Sequence, residues 1–470
     1  MTLKIFNTIS KKEEEFKEIE AGKVKMYACG PTVYNFAHIG NLRSYIFEDI
    51  LKKALEYEGY EVTHMINITD VGHLQSDEDT GEDKMELGAK RENKSVLELA
   101  RFYEASFLSD LEKLNIKKPN IIARATEHIE DMINLIKKLE EKGFTYIANG
   151  NVYFSIDKFE DYHKLANLNM NEMKAGSRIK IDEFKKNPFD FVLWFVNSKY
   201  ENHILQWQSP WGKGFPGWHI ECSAMAIKYL GEYIDIHCGG VDHIPVHHTN
   251  EIAQSESALG HKWINYWIHG EFLTTDSEKM SKSSGEFLTL EKLIKDGFSP
   301  IDYRYYVLQS KYRKTLAFTY DKLEEAKKSL DSLRKKISGI IANIDITEVT
   351  NVEAVNKYKS DFKECINDDL NIANAFTVLY EVIKDNYISN NEKKQLIEDF
   401  DRIFSLNLIQ EQGNNKLNEE RIKYIEGLIN ERAQARVNKE WDKSDKIREA
   451  LLQEGIEITD TKEGTVWKLR

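Results

Sequence analysis

Cysteine is scarce in this sequence. Its 470 residues contain four cysteines, which lie far apart at Cys29, Cys222, Cys238 and Cys365. Small secreted domains that depend on disulfides carry more cysteines at closer spacing. The sequence therefore excludes a disulfide framework. We expect thiols in a reducing compartment, where they serve as packing residues, metal ligands or nucleophiles.

Long apolar runs are also missing. The longest, FVLWFV at 191–196, falls far short of the about 20 residues that a helix needs to cross a bilayer. The N-terminal stretch MTLKIFNTISKKEEEF lacks the apolar core and the small-residue cleavage site of a signal peptide. We expect a cytoplasmic protein with no membrane contact.

Positive charge is in deficit as well. The chain has 65 Lys and Arg residues against 78 Asp and Glu residues, a net charge of −13. This balance argues against non-specific binding of nucleic acids, which needs a positive field. It does not exclude a local basic face, because residues 419–470 are nearly neutral, with 11 basic and 12 acidic residues.

The first part of the chain has the pattern of a βαβ unit. KVKMYACG at 23–30 alternates apolar and other residues, and EVTHMINITD at 61–70 is a second β-rich run. Between them, from Asn41 to Gly59, apolar residues recur on one face of a helix. Two parallel strands joined by a helix are the building unit of an α/β sheet.

The middle of the chain alternates between helical and β patterns. Residues 97–141 have a helical pattern, and TYIANGNVYFSI at 145–156 returns to β. GEYIDIHCGGVD at 231–242 predicts another strand, which ends in Gly239 and Gly240. A glycine pair lets a ligand approach the backbone closely.

From about residue 319 onwards the sequence is helical. Apolar residues at alternating spacings of three and four predict a packed helix seam at Leu323, Ala326, Leu330, Leu333 and Ile337. The helical pattern continues to about 405 and is followed by a polar break at 407–420. A small terminal module ends in two short β-like runs, GIEIT and GTVWKL.

The stretch HIPVHHTNEIA at 243–253 concentrates three histidines and a glutamate. His247 and Glu251 have i, i+4 spacing, so on a helix they project from one face. They can hold a divalent metal ion, or they can hydrogen-bond to each other on a solvated helix. The stretch taken alone favours the second interpretation.

Two further stretches have the chemistry of nucleotide binding. PTVYNFAHIGNL at 31–42 lies between the first strand and the first helix, where His38 and Gly40 can meet phosphate oxygens. DSEKMSKSSGEF at 276–287 places Lys279 and Lys282 in a Ser- and Gly-rich loop that can close over a triphosphate. Each stretch has an ordinary alternative, a βα turn for the first and a solvated charged loop for the second.

Together, HIGN and KMSKS, about 240 residues apart, resemble the two signatures of class I aminoacyl-tRNA synthetases. Asn41 stands where the fullest form of the first signature has histidine, and this departure affects one expected phosphate contact. The resemblance implies catalytic roles for His38, Gly40, Asn41, Lys279 and Lys282. It also implies an ATP site formed by His38, Gly40, Asn41, Gly240, Asp242, Lys279, Met280, Ser281, Lys282 and Ser283.

Four stretches closely resemble cysteinyl-tRNA synthetases: YACGPTVY (27–34), NPFDFVLW (187–194), GWHIECSA (217–224) and HHTNEIAQS (247–255). This resemblance implies one zinc ion per chain, held by Cys29, Cys222, His247 and Glu251. Such a donor set suits zinc, which can accept a fifth ligand and so bind the thiolate of free cysteine. Serine lacks that donor. Because a site that demands one particular bond discriminates by ~10⁴–10⁵, we expect no editing domain.

The same resemblance implies a substrate pocket formed by Gly30, Thr69, Trp218 and His237. His243 and His248 are not expected to be ligands, because four donors are already assigned. Thr249 stands where many relatives have glutamate, but that position is not a ligand.

The C-terminal part also resembles this family. DDLNIANAFTVLYEVIKD at 368–385 resembles its helical-bundle domain, and residues 436–467 resemble its anticodon-recognition module. Residues that match positions of the family that bind tRNA are Arg436, Trp441, Asp445 and Asp460. A tryptophan can stack on an unpaired base, and charged side chains can bond base edges. The alternative is an amphipathic surface hairpin.

The predicted fold is α/β, with a Rossmann-like parallel-sheet catalytic core, an inserted connective domain, an α-helical bundle and a small C-terminal anticodon-binding module. The expected boundaries are 1–110 and 206–270 for the two halves of the core, 111–205 for the insertion, 271–318 for the KMSKS and stem-contact region, 319–406 for the bundle, and 407–470 for the module.

The predicted function is ligation of L-cysteine to tRNA(Cys) with ATP, by a monomer that uses Mg²⁺ with the nucleotide. A first alternative is a tRNA-independent cysteine ligase that acts on an amino-sugar acceptor; such relatives lack the anticodon module. A second is a zinc-stabilised RNA-binding protein without catalysis, against which the intact KMSKS argues.

Overall fold

The structure is a computed structural model that describes most of the chain. The described residues are 2–71, 84–92, 94–166, 184–196, 204–275, 278–279, 288–344, 351–409, 419–438, 440–453, 456–461 and 464–469. The chain divides into two compact units, Met1–Leu408 and Ile409–Arg470. Each unit has its own hydrophobic core.

The described residues form sixteen strands, β1 to β16. In chain order these are Lys4–Asn7, Lys12–Glu15, Lys23–Ala28, Glu61–Ile68, Ile121–Arg124, Thr145–Ala148, Asn151–Phe154, Phe191–Phe195, Phe215–Pro216, Ile234–Gly240, Ile264–Gly270, Leu273–Thr275, Glu278–Lys279, Leu316–Phe318, Ile456–Thr461 and Gly464–Leu469.

The same residues form fourteen α-helices, α1 to α14. In chain order these are Ile39–Tyr57, Lys84–Glu92, Val96–Lys113, Ile129–Glu141, Trp218–Leu230, Thr249–Leu259, Leu290–Lys295, Pro300–Leu308, Tyr320–Ala342, Val352–Asn367, Ile372–Lys384, Asn390–Phe404, Glu419–Val437 and Trp441–Gln453.

A five-stranded parallel sheet lies at the centre of the first unit. Its strand order is β11-β10-β3-β4-β5, and every neighbouring pair is parallel. The chain moves outward from β3 in one direction through β4 and β5, and β10 and β11 lie on the other side. In open α/β sheets, ligands bind outside the carboxyl ends of the strands at such a switch point. Cys29 follows β3 directly, and Gly239 and Gly240 end β10.

The predicted βαβ unit and the strand at 231–242 are confirmed, and the predicted fold class is confirmed with them. The prediction of helix over 97–141 is wrong in its middle. Helix α3 ends at Lys113, and the chain then forms β5 before α4 begins. Asn115 has a φ of 54°, which ends the helix. With only four residues, β5 is too short to show the alternation by which a strand is recognised.

Between α4 and α5 the chain forms an antiparallel sheet, β6-β7-β8-β9. Aromatic pairs support it: the Phe195 and Phe215 rings stack with centroids 4.8 Å apart, and Phe154 and Phe191 stack at 5.0 Å. This sheet is the inserted part of the core. It carries the stretch FVLWF, all five residues of which are buried.

Helices α9 to α12 follow the core and pack against one another. All five residues of the predicted seam, Leu323, Ala326, Leu330, Leu333 and Ile337, are buried on α9. In the second unit, α13, α14 and the hairpin β15–β16 enclose a small core of Ile425, Ile429, Ile447, Leu451, Ile456 and Ile458. The two predicted β-like runs at the end of the chain are thus the strands of that hairpin.

Within the described ranges, no helix combines the length and apolar character needed to cross a membrane. The expected cytoplasmic location, the monomeric state and the domain boundaries stay predictions.

Candidate functional site

Four buried donors meet at the carboxyl end of the parallel sheet. Cys29 follows β3, Cys222 lies on α5, His247 precedes α6, and Glu251 lies in the first turn of α6. One ligand atom from each of the four lies within 4.8 Å of all the others, and all four residues are buried. Residues separated by more than 200 positions in sequence thus form a single group that can hold a metal ion.

The His247–Glu251 pair is presented by a local irregularity. Ile244–His248 forms a π-helical turn that leads directly into α6. The hydroxyl of Thr249 donates to the carbonyl of Ile244 at 2.7 Å and supports this turn. Such π-turns are frequent at functional sites because they change the direction of side chains.

The geometry of His247 fits a metal ligand. Its Nε2 lies 3.0 Å from Oε1 of Glu251, yet it has no hydrogen-bond partner among the described residues. Sγ of Cys29 lies 3.8 Å from the same oxygen. Buried polar atoms are normally hydrogen-bonded, so the unpartnered Nε2 of His247, beside this carboxylate and thiol, is suited to bind a metal ion.

The side chains of the cluster shift one another's pKa values. Burial opposes ionisation, but Cys29 and His247 lower the pKa of Cys222 to about 6. Burial, followed by Cys222, raises the pKa of Cys29 well above its ordinary value. Against the effect of burial, Cys222 and Glu251 raise the pKa of His247 to about 10, and His237 and His247 lower that of Glu251 to about 2. The cluster therefore places two negative charges, on Cys222 and Glu251, beside a positively charged His247.

His237 and His248 surround the cluster more closely than expected. Nε2 of His237 lies 3.1 Å from Oε2 of Glu251, and Nε2 of His248 lies 3.3 Å from Sγ of Cys29. With Cys29 and Glu251 they form a second group of four with metal-ligand distances. Since both rings also hydrogen-bond elsewhere, they suit an orienting role, in which outer groups fix the direction of the ligands.

The outer contacts of His248 extend to the residue that follows β1. Nδ1 of His237 lies 3.1 Å from the carbonyl of Cys238, and Nδ1 of His248 lies 2.8 Å from Nε2 of His269. His269 in turn bonds the hydroxyl of Thr8 at 2.7 Å. His269 was not predicted, because it lies outside every motif of the sequence.

A cavity opens above the cluster. Cys29 and Gly30 lie in its lining, with Trp218, Gly240 and Asp242. The ring centroid of Trp218 lies 3.9 Å from that of His247, so Trp218 forms a wall directly above a candidate ligand. Amino-acid-sized ligands typically bind in such concave, partly apolar sites.

Gly30 is required for close packing at the floor of this cavity. A Cβ at this position would lie 1.6 Å from the carbonyl oxygen of Asn67. The N–H of Gly30 donates to Oδ1 of Asn67 at 2.8 Å. Thr69 and His237, both predicted to contact substrate, are only 1% and 0% exposed, and the hydroxyl of Thr69 donates to Glu221 at 3.1 Å. Their substrate contacts stay predictions.

The HIGN segment caps helix α1. Nδ1 of His38 accepts from the backbone N–H of Asn41 at 3.0 Å, and Oδ1 of Asn41 accepts from the N–H of His38 at 3.3 Å. In a neutral His38 the ring proton must therefore lie on Nε2. A second cavity lies here, lined in part by His38, Gly40, Asn41, Gly240 and Asp242.

The glycine pair at the end of β10 is closely approached by side chains of the chain itself. A Cβ at Gly239 would lie 2.7 Å from the ring of His248, and one at Gly240 would lie 2.4 Å from Oδ1 of Asp242. The glycines therefore make room for these side chains. Whether a ligand also approaches them, as the sequence predicts, stays a prediction.

The KMSKS segment is only partly described. Lys279 lies in β13, which pairs with β12 opposite Thr274. Met280, Ser281, Lys282 and Ser283 lie outside the described residues. The segment after them returns to the first motif, since the N–H of Ile39 donates to the carbonyl of Leu288 at 2.8 Å. The two motifs are thus connected at the N-terminus of α1.

Known proteins are similar to this chain over its whole length. The family model described as tRNA synthetases class I (C) catalytic domain matches residues 15–328, and that of the DALR domain matches residues 361–405. The chain is 48% identical to Cysteine--tRNA ligase of Treponema denticola over 490 positions, covering 100% of both chains. It is 42% identical to that of Borrelia turicatae over 479 positions, covering 99% of both.

The chain belongs to the cysteinyl-tRNA synthetase family. Solved structures of other class I synthetases share its fold. Mycobacterium tuberculosis methionyl-tRNA synthetase in complex with methionyl-adenylate matches with a TM-score of 0.56 at 14% identity, covering 82% of this chain and 90% of that chain. The Agrobacterium radiobacter K84 agnB2 LeuRS ternary complex matches with a TM-score of 0.57 at 9% identity, covering 83% and 84%.

The residues of this cysteinyl-tRNA synthetase family member that were predicted to bind tRNA lie in the second unit. Trp441 begins α14 and is 57% exposed, and Asp445 on the same helix is also exposed. Asp460 accepts from Arg436 at 2.5 Å and from Arg432 at 2.8 and 3.0 Å. Arg436 and Asp460 are therefore bonded to each other, and their contact with bases stays a prediction.

Proposed function

We propose that this chain activates L-cysteine with ATP to give cysteinyl adenylate and pyrophosphate, and then transfers cysteine to the 3′ end of tRNA(Cys). The observation that carries this proposal is the four-donor cluster at the floor of a cavity that HIGN and the end of β10 also border. A metal site beneath a nucleotide site suits a substrate with a thiol at one end and a carboxylate at the other.

We propose zinc as the ion of the cluster, with Cys29, Cys222, His247 and Glu251 as its ligands. Two thiolates, an imidazole and a carboxylate match the ligand preferences of zinc. When bound, zinc supplies an acceptor for the substrate thiolate, for which the serine hydroxyl is a poor substitute. A site that demands one particular bond discriminates by ~10⁴–10⁵, which makes editing unnecessary.

In the first step, an oxygen of the cysteine carboxylate attacks the α-phosphorus of ATP. A carboxylate oxygen–phosphorus bond forms while the bond to pyrophosphate breaks. We propose that Nε2–H of His38 donates to a phosphate oxygen, because Nδ1 of that ring accepts from Asn41. The positive end of the α1 dipole also faces this region.

Lys279 and Lys282 have the complementary role at the other end of the nucleotide. Their ammonium groups, with the Mg²⁺ that accompanies ATP, offset the charge that builds up on the departing pyrophosphate. Catalysis of this kind depends on positioning and electrostatic stabilisation, without a covalent enzyme intermediate. In the second step, a hydroxyl of the terminal adenosine of tRNA attacks the carbonyl carbon, and AMP departs.

Cysteine-dependent ATP–pyrophosphate exchange by zinc-replete protein tests this proposal. We expect exchange with cysteine and none above background with serine at equal concentration. Transfer of radiolabelled cysteine to tRNA(Cys), and none to an amino-sugar acceptor, is expected to follow. Absence of exchange would refute the enzymatic function. If exchange occurs but cysteine is transferred only to the amino sugar, then the acceptor is the sugar and not tRNA.

A further inference from the structure

Glu48 on helix α1 is buried, and one of its carboxyl oxygens makes no hydrogen bond to the described residues. The residue is 2% exposed, and its Oε2 has no hydrogen-bond partner among the described residues. Burial raises its pKa well above the ordinary value, and no charge of the described residues offsets this effect. An unpaired buried acid is costly to stability, so its presence at a site calls for an explanation in terms of a ligand.

The cavity above the metal cluster is where Glu48 lies. Its side chain is part of the cavity lining, together with Cys29 and Tyr45. The hydroxyl of Tyr45 donates to the carbonyl of Cys29 at 3.3 Å, which holds this face of α1 against the segment that carries Cys29. Glu48 is one helical turn further along α1, on the same face. Its carboxyl therefore borders the cluster end of the cavity.

The neighbouring buried carboxylate on α1 has cationic partners. Asp49, the next residue, forms ion pairs with Arg304 and Lys53, both at 2.6 Å. Glu58 and Glu221 also have one unpartnered buried oxygen, but neither belongs to the lining of the cavity. Glu48 thus combines an unpartnered buried oxygen with access to the substrate space.

We propose that Glu48 binds the α-ammonium group of the substrate cysteine. This inference rests on the proposed function and adds a specific contact to it. In cysteine, two carbon atoms separate the sulfur from the nitrogen, so a thiolate held at the cluster keeps the ammonium group beside Cys29. The substrate carboxylate must point towards the nucleotide end, near His38 and Asp242, which leaves the ammonium group for the α1 side.

The contact would add a third point of recognition. The cluster selects the thiol, the nucleotide end requires the carboxylate, and Glu48 would select the amine. A charge-assisted hydrogen bond in a buried site is among the stronger polar interactions. Thiol acids without an amine would therefore bind poorly, although they satisfy the other two points.

Two thiol probes separate this contact from a general effect on the site. Cysteamine carries the thiol and the ammonium group, and 3-mercaptopropionate carries the thiol and the carboxylate. Each is measured as an inhibitor of cysteine-dependent ATP–pyrophosphate exchange by wild type and by the isosteric Glu48→Gln variant. We expect the substitution to raise the inhibition constant of cysteamine and the KM of cysteine about tenfold. The constants for 3-mercaptopropionate and ATP should be unchanged.

Glu56→Gln provides the matched control. Glu56 lies two turns further along the same helix and forms an ion pair with Lys117 at 2.7 Å, far more exposed to solvent than Glu48. It should leave both inhibition constants unchanged. Equal weakening of both probes in Glu48→Gln, with or without loss of zinc, would overturn the proposal, and so would no weakening of either.

A measurement on the wild type removes any dependence on the folding of the variant. Cysteamine should inhibit about tenfold better than 2-mercaptoethanol, which has a hydroxyl in place of the ammonium group. Equal inhibition would count against a carboxylate partner. Failure of the wild type to catalyse exchange with cysteine would instead refute the proposed function itself.

Discussion

Arg304 and Asp49 form an ion pair of 2.6 Å in which both side chains are completely buried. The same guanidinium donates to the carbonyl of Phe404 at 2.7 Å and to that of Leu114 at 3.0 Å. One side chain thereby connects α1 of the parallel-sheet core, the end of α3 and the last turn of the helical bundle. This residue therefore helps to hold the bundle against the core.

Arg304→Met should destabilise the first unit strongly. Removal of the guanidinium leaves Asp49 with a single cation and two backbone carbonyls without donors. Breaking a buried pair in this way costs about 3–5 kcal/mol of unfolding free energy. Urea denaturation followed by circular dichroism measures the change. Arg402→Met is the control, because Arg402 is 64% exposed in its pair with Asp399, and such pairs contribute about 0–1 kcal/mol.

His247→Ala should abolish stoichiometric zinc binding and raise the KM of cysteine in the exchange reaction. The substitution removes one of four ligands and leaves Glu251 and Cys222 without the imidazole between them. Zinc per chain by mass spectrometry and exchange kinetics provide the measurement. His261→Ala, a partly exposed histidine paired with Glu232, should retain wild-type zinc and kinetics. Full zinc content in His247→Ala would reject the ligand assignment.

Trp441→Ala should weaken tRNA charging and spare adenylate formation. Its exposed ring is suited to stack on an unpaired base, and one such contact contributes about 1–3 kcal/mol. We expect kcat/KM for tRNA to fall by about 5- to 150-fold. Pyrophosphate exchange should stay at the wild-type rate. Tyr424→Ala, another exposed aromatic residue of the second unit, is the comparison. A parallel loss of exchange and charging would argue against an anticodon role.

His64→Leu should remove an acid sensitivity of the first unit. Burial lowers the pKa of His64 to about 3, and neither ring nitrogen has a partner among the described residues. Because the unfolded chain takes up this proton near pH 6.5 and the folded chain does not, stability falls as the pH decreases from 6.5 towards 3. The slope is about 1.4 kcal/mol per pH unit.

The measurement compares the unfolding free energies of wild type and His64→Leu at pH 8 and at pH 5. At pH 8 the two should be similar, because the neutral ring makes no hydrogen bond that leucine loses. At pH 5 the variant should be relatively more stable by about 2 kcal/mol. An equal difference at both pH values would show that His64 does not titrate in this way.

Much of the fold follows from local patterns in the sequence. The βαβ unit was predictable because β3, α1 and β4 are each long enough to show their period, and the seam of α9 for the same reason. The strand β5 was not predictable from the sequence, because its formation depends on pairing with β4, which lies more than 50 positions away. Its four residues fit a helix equally well.

The metal cluster was predictable only through resemblance. His247 and Glu251 have a recognisable spacing, but nothing local connects them with Cys29 or Cys222. The proximity of His248 to Cys29 could not be predicted for a similar reason. It depends on the π-turn at 244–248, which rotates the side chains relative to an ordinary helix. The charged motifs at 38–41 and 279–283 were recognisable because their chemistry is local.

The order of strands in the central sheet has a consequence for synthesis of the chain on the ribosome. Strand β3 ends at residue 28, but its neighbour β10 is complete only at residue 240. At about 5–20 residues per second, an unpaired parallel edge is exposed for roughly 10–40 seconds in every nascent chain. Exposed edges of this kind pair readily with other chains. The nascent chain therefore carries an incomplete sheet until β10 has been made, and the four metal ligands can meet only after that interval.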